Sequence, residues 1–330
     1  AIALANGTLA LEAALYGLGI GDGGEVIVPA KTFIATASSV VMRGAIPVVA
    51  DIDLHSGNIT VEAIEAARSE NTKAIIVVHL GGWPCDMHAI MAYAKSHGLK
   101  VIEDCAQAHG AEIDGRKVGS FGDAAAFSFC QDKIISTGGE GGMLVTNDQH
   151  VWSKVWAFKD HGRDYDAVFH REHGPGHRWY CTSFGSNWRL TEMQSAIGRM
   201  QLKKLPQWLA KRRHYASMLI AGLSDVPGLN IHAPDQGILH AYYRFYALID
   251  SDLLSSDWDQ DRVIEGVNAE GVPCFHGSCS EIYREKAFGP FMRESYPLVN
   301  AELSGQRSMA LLVHLTLKEE HIEKMITVIR

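Results

Sequence analysis

Val101-Ile102-Glu103-Asp104-Cys105-Ala106-Gln107-Ala108-His109-Gly110 is an apolar run that ends in acids and passes into a polar turn, the form of a strand feeding a loop. Further on, Ser128-Phe129-Cys130-Gln131-Asp132-Lys133 closes a second apolar run, Ala124–Phe129. Ser136-Thr137-Gly138-Gly139-Glu140-Gly141-Gly142 follows, a glycine run that neither a helix nor a strand tolerates. An acid at a strand end, a lysine that a pocket can hold and a hydroxyl five residues before that lysine form a set with chemical meaning. Pyridoxal phosphate needs an amine for its aldehyde, an anion for its ring nitrogen and donors for its phosphate.

Outward from this centre, short apolar runs alternate with amphipathic stretches over residues 1–150. The runs predict strands at 1–4, 25–28, 46–49, 74–78, 100–102, 124–129 and 143–145. Helical spacing falls between them at 8–18, 33–43, 61–68 and 86–96. Strands alternating with helices predict βαβ units and a mainly parallel sheet covered on both faces. Ligands of such sheets bind at the carboxyl ends of strands, where Asp104 and the turn Asn6-Gly7-Thr8 fall.

Residues 160–188 are rich in His, Gly, Arg and aromatics and lack periodicity, which predicts a long irregular segment at a functional site or interface. Helical patterns follow at 190–205 and 207–223, with Pro206 expected to break them apart. A β-like run at 242–249 and helices at 259–270 and 318–329 complete the pattern. The expected division is a large domain over 1–210 and a smaller α+β domain over 211–330.

With 330 residues, 47% of them hydrophobic, the chain can bury a substantial core. Thirty basic residues against 38 acidic ones give a charge of −8, which argues against a nucleic-acid or anionic-membrane surface. Six cysteines without CxxC spacing fit reduced thiols and a cytoplasmic protein. No run approaches a membrane span, and the charged-then-apolar order of a signal peptide is missing from the start. Because Ala1 lies inside an apparent strand, the natural chain is expected to begin earlier.

Each candidate has an ordinary alternative. Asp104 pairs with a pyridine nitrogen or merely caps a helix. Gln107 donates to a ring oxygen or is loop surface. Lys133 is a reactive amine or a solvated loop lysine. Ser128, with Gly7 and Thr8 at a helix start, binds phosphate or only caps. Phe33 covers a ring or packs in the core. Asn187 and Arg189 lie at a helix entrance and cap it or serve an anion. His161, His276 and His314 show no metal-like pairing, so no metal site is expected, and they are read as structural or substrate-contacting.

Taken together these stretches resemble the DegT/DnrJ/StrS family of pyridoxal-phosphate-dependent nucleotide-sugar aminotransferases. The similarity runs through Asn6-Gly7-Thr8, Pro29 to Thr36, Asp51 to Asn58, His79 to Met87, Glu103 to Gly110, Phe127 to Gly142, Asn187 to Leu202 and Val313-His314. It implies an α/β transferase of fold type I, working in the cytoplasm as a homodimer with shared active sites. It implies that Lys133 forms the Schiff base and shuttles protons, with Asp104 on the pyridine nitrogen and Gln107 on the ring oxygen. Gly7, Thr8 and Ser128 would take the phosphate, Phe33 would stack on the ring, and Asn187 would reach the phosphate of the partner's cofactor. Arg189, His276 and His314 are the candidates for substrate. Glutamate is the expected amino donor and a ketone on a nucleotide-linked sugar the acceptor.

Three positions depart from the family pattern: Cys130 stands where histidine or glutamine is usual, Gly138-Gly139 adds a residue, and Lys31 is charged. A lysine at 133, where related dehydratases carry histidine, favours transamination. The alternatives are a dehydratase or aminoshikimate-type synthase on the same fold, a silent regulatory domain, and a nucleotide-binding α/β protein without this cofactor.

Overall fold

The apolar runs of the first half assemble side by side. The computed structural model describes residues 1–330. Its main sheet has seven strands in the spatial order Ile2–Leu4, Gly142–Val145, Ala124–Ser128, Lys100–Asp104, Thr72–Val78, Glu25–Pro29, Ile46–Ala50. Gly142–Val145 runs against both its neighbours, and the pairings beyond it are parallel.

The alternation of strand side chains sorts the core into two layers. Val26, Val28, Ile76, Ile102 and Ala126 point to one face, where helices Gly7–Gly17, Ala35–Met42 and Gln149–Lys159 lie. Ile27, Ile75, Val77, Val101 and Ala125 point to the other, under Val61–Ala67 and Met87–His97. Apolar residues on both faces of each strand are what a doubly covered parallel sheet requires.

A second sheet of four antiparallel strands has the order Leu229–Asn230, Phe245–Ile249, Ser308–Leu311, Cys274–Phe275. Its own cluster takes Ile264 and Val267 from helix Gln260–Ala269 and Ile322 and Met325 from Glu319–Ile329. The segment between these sheet strands returns to the first core through Ile282, Tyr283, Phe288 and Ala301.

Three expectations need correction. Pro206 does not end a helix: Glu192–Leu223 is one 32-residue helix with the proline inside it. Proline removes one amide donor and crowds the carbonyl four residues back, yet packing on both sides of the site outweighs that loss. Leu209 joins the core beneath the main sheet, and Tyr215, Leu219 and Leu223 join that of the second. The β-like run at 242–249 forms a strand only from Phe245, because Tyr242 has a φ of +47° and Tyr243 bonds to Gly81 instead of a strand neighbour. The irregular stretch 160–188 contains one short helix, Tyr165–Phe169, capped by Asp164.

Candidate active site

At the carboxyl ends of the parallel strands lies a cavity of about 310 Å³. Its lining brings together Gly7, Thr8, Phe33, Asp104, Gln107, Ser128 and Lys133 from four separate stretches of sequence. These are residues that sequence reasoning proposed as a set.

One end is built for an anion. Asn6 caps the helix Gly7–Gly17 by accepting from the Leu9 amide at 2.9 Å. The amides of Gly7 and Thr8 precede the first intrahelical bonds and have no helical acceptor. The macrodipole adds partial positive charge there. A Cβ on Gly7 would stand 2.6 Å from the Ser128 Cβ, so only glycine lets the helix start meet the Ser128 hydroxyl. Amides, hydroxyl and dipole thus converge on one spot, a setting suited to an anion such as a phosphate.

The wall opposite is acidic. Asp104 is the last residue of its strand and is buried. Its Oδ1 accepts from the Ala106 amide and its Oδ2 from the Thr36 hydroxyl, both at 3.1 Å. Burial pushes its pKa up; the Ala106 and Thr36 bonds and the Lys133 charge pull the other way without cancelling the rise. A carboxylate this dry and this short of cations is suited to a cationic partner in the cavity.

Gln107 is oriented by its neighbour. Its Oε1 accepts from the Gly81 amide at 2.7 Å, so its NH₂ is left as the donor. Lys133 reaches the cavity from the loop after Ser128, its Nζ 3.6 Å from Asp132 and 4.8 Å from the centroid of the Tyr243 ring. Phe33 is 67% exposed, a large ring at the mouth with nothing of this chain covering it. The cavity can therefore hold a molecule bearing a phosphate, a carbonyl within reach of an amine, and a basic ring nitrogen.

Residues 1–330 match the DegT/DnrJ/EryC1/StrS aminotransferase family. The chain belongs to that family. A UDP-N-acetyl-3-dehydro-alpha-D-glucosamine 3-aminotransferase of Acidithiobacillus ferrooxidans is 38% identical, over 100% of this chain and 83% of its own length. GDP-perosamine synthase of Caulobacter vibrioides is 39% identical over 84% of this chain and 72% of its own. A solved aminotransferase structure from Psychrobacter cryohalolentis superposes with a TM-score of 0.97 at 51% identity, covering 99% of this chain and 85% of that one. The fold is therefore that of this aminotransferase family, and the chain is an enzyme of the aminotransferase class.

Other expected residues of this family member lie outside the cavity. Asn187 is exposed and bridges to Asp160, and Arg189 forms an ion pair with the same Asp160. His276 pairs with Asp261 at 2.6 Å, and His314 with Thr316 at 2.8 Å. Arg189, His276 and His314 are engaged by side chains of their own chain, whereas Asn187 meets Asp160 through its backbone.

The supports beneath the cavity were not foreseen. Glu103, one residue before Asp104, faces the opposite side of the sheet and is fully buried. It accepts from the amides of Gly119, Phe121 and Gly122, each at 2.7 Å, and from His79 at 3.2 Å. Burial opposes its ionisation, but His79 and those amides outweigh it and hold its pKa below the usual range. His79 in turn accepts the Cys85 amide at Nδ1, which leaves Nε2 to carry the proton. Cys105 lies beside this pair, but its thiol is pushed well up by burial and stays protonated. Glu103 and His79 thus anchor the Asp104 strand to its neighbours. Gly81, the donor to Gln107, was also missed. At a φ of +63° it lies so close to Tyr246 that a Cβ would come within 2.9 Å of the ring.

Lys31 has no carboxylate beside it. It is buried, and its Nζ donates to Ser304 at 2.7 Å and Ser308 at 3.1 Å. Burial pushes its pKa down to about 7. An unfolded lysine titrates at about 10.4, so between the two values the unfolded chain binds a proton that the folded chain lacks. Stability therefore rises with pH through that window, by at most about 1.4 kcal/mol per pH unit from this one group. Lys31→Met should remove the slope. The difference in unfolding free energy between wild type and variant, measured in urea from neutral pH upward, should climb in favour of wild type. A constant difference refutes it.

Proposed function

We propose that this protein is a pyridoxal-phosphate-dependent aminotransferase that moves an amino group from an amino acid, glutamate by expectation, to a ketone on a nucleotide-linked sugar. The observation that carries the reading is the meeting of the Lys133 amine, the Asp104 carboxylate and the Gly7–Ser128 cradle in one cavity. The nucleotide-sugar part is supported by the relatives, two of which are named for amination of UDP- and GDP-linked sugars or their products.

Bound pyridoxal phosphate would supply an aldehyde and a ring able to absorb carbanion charge. The residues do the rest. Gly7, Thr8 and Ser128 anchor the phosphate, and Asp104 keeps a proton on the ring nitrogen. Gln107, its oxygen already bound to Gly81, gives its NH₂ to the ring oxygen. Phe33 covers the ring face and limits water. The Lys133 amine would hold the aldehyde and, once displaced by the donor's own amine, would be free to take the donor's α-proton and return it, a base and an acid in turn.

In the same reading the enzyme is a cytoplasmic homodimer in which Asn187 reaches the partner's cofactor phosphate. Arg189, His276 and His314 are the candidates for substrate contact outside the cavity, and no metal takes part. We place the division between the units at residue 210, inside the long helix, with residues 1–210 as the large domain and 211–330 as the small one.

The test is a panel of UDP-, dTDP- and GDP-linked ketosugars, each incubated with the loaded enzyme and glutamate while 2-oxoglutarate is followed. At least one nucleotide ketosugar should give stoichiometric 2-oxoglutarate and an aminated sugar. Turnover confined to free small ketones would overturn the sugar assignment while leaving the aminotransferase reading intact.

A further inference from the structure

We propose that Asp132 is the positioning residue for the Lys133 amine, and that Tyr243 sets it in place. The proposal rests on the role given to Lys133 above and goes beyond it to the residues that aim the amine.

Three donors converge on this one carboxylate. The Cys130 thiol donates to Oδ1 at 2.9 Å, the Tyr243 hydroxyl donates to Oδ2, and the Lys133 Nζ lies 3.6 Å from Oδ1. Burial alone would push the Asp132 pKa up; bonds from Cys130 and Tyr243, with the charges of Lys133 and Arg244, overcome that and lower it. The carboxylate is thus kept ionised beside the amine.

Tyr243 is itself fixed. It is buried, and its ring has the Lys133 Nζ 4.8 Å and the Arg244 guanidinium 4.6 Å from the centroid. Its backbone amide donates to the Gly81 carbonyl at 2.8 Å. Gly81 is also the donor that turns Gln107. Arg212, from the long helix, donates to the Tyr242 carbonyl at 2.9 Å. One glycine therefore carries both Tyr243, which sets Asp132, and Gln107, whose NH₂ is turned into the cavity.

Other groups near Lys133 do not duplicate Asp132. Asp104 and Glu140 line the same cavity, and Cys130 is on the loop of Lys133 itself. His109 stays neutral, since burial pushes its pKa down to about 3. Asp132 alone comes within ion-pair distance of the Nζ. A free lysine head samples many rotamers, and confining it costs conformational entropy. An ionised carboxylate already held by the Cys130 thiol and the Tyr243 hydroxyl meets part of that cost before the carbonyl arrives.

The experiment compares wild type with Asp132→Asn, Tyr243→Phe and Asp132→Glu. Cofactor-free protein is mixed with pyridoxal phosphate across a pH series. Covalent capture, the amine joining the aldehyde with loss of water, is fixed by borohydride and read as added mass on the peptide holding Lys133. In Asp132→Asn the rising limb of capture rate against pH should move to lower pH, because the anion favouring the ammonium is gone. Tyr243→Phe should move it the same way by less, and Asp132→Glu should restore it. With the loaded enzyme, kcat should fall roughly 10- to 100-fold in Asp132→Asn while KM for the sugar stays within about twofold. A folded Asp132→Asn protein whose limb coincides with wild type overturns the proposal. So does a Tyr243→Phe variant that loses activity and Tm together with its limb unmoved. Failure of the underlying reading looks different, since wild type would then give no adduct at Lys133.

Discussion

Lys133→Ala is expected to abolish turnover, with a fall of at least roughly 10⁴-fold, because one substitution removes both the attacking amine and the proton carrier. The fold should survive. Lys133 sits in the loop after Ser128 and contributes no core surface, whereas Ile134 and Ile135 beside it are buried and remain. The cradle at Gly7 and Ser128 and the acid at Asp104 also remain, so pyridoxal phosphate should still bind. The bond to the protein should not form. Borohydride should then leave no cofactor mass on the chain, while dialysis strips colour from the variant faster than from wild type. Turnover near the wild-type rate would refute the assignment of Lys133, and a variant unable to bind the cofactor at all would refute the independence of the cradle.

Much of this site was legible because its residues sit where local patterns end. Asp104 follows an apolar run, Gly7 and Thr8 open a helix, and Ser128 closes a strand, so the alternation of strands and helices alone brings them to one edge of the sheet. What could not be read is held by contacts between distant segments. Glu103 looks like a second loop acid until Gly119, Phe121, Gly122 and His79 are brought around it. Tyr243 lies 111 residues from Asp132 along the chain, and nothing near either residue announces the pair. Pro206 misled for a different reason. Its local chemistry opposes a helix, and the burial of Leu209 and Tyr215 that carries the helix through it is visible only in three dimensions. Asn187 and Arg189 do lie just before a helix, but Thr191 caps it, Arg189 pairs with Asp160, and Asn187 meets Asp160 only through its backbone.

Asp104→Asn should leave an enzyme that binds its cofactor and works poorly, with kcat lower by roughly 10²- to 10³-fold, the cost of removing one preorganised electrostatic partner. Asparagine keeps the shape, and its oxygen can still accept from Ala106 or Thr36, so the strand end and the hydroxyl pair of Thr32 and Thr36, 2.8 Å apart, should hold. The negative charge is what disappears. On its own that charge is disfavoured, since burial pushes the Asp104 pKa up. A protonated ring nitrogen brings the missing cation, and the same dry surroundings that penalise the lone carboxylate strengthen the pair. The loss should therefore fall on the proton-transfer step and not on phosphate binding. A deuterium label on the donor's α-carbon tests this: its isotope effect on kcat should grow in Asp104→Asn as that step becomes more rate-limiting. Alanine at the same position should be worse, leaving the Thr36 hydroxyl and the Ala106 amide without an acceptor. An asparagine variant with unaltered kcat would show that the ring nitrogen needs no anion, and the place of Asp104 in the mechanism would be lost.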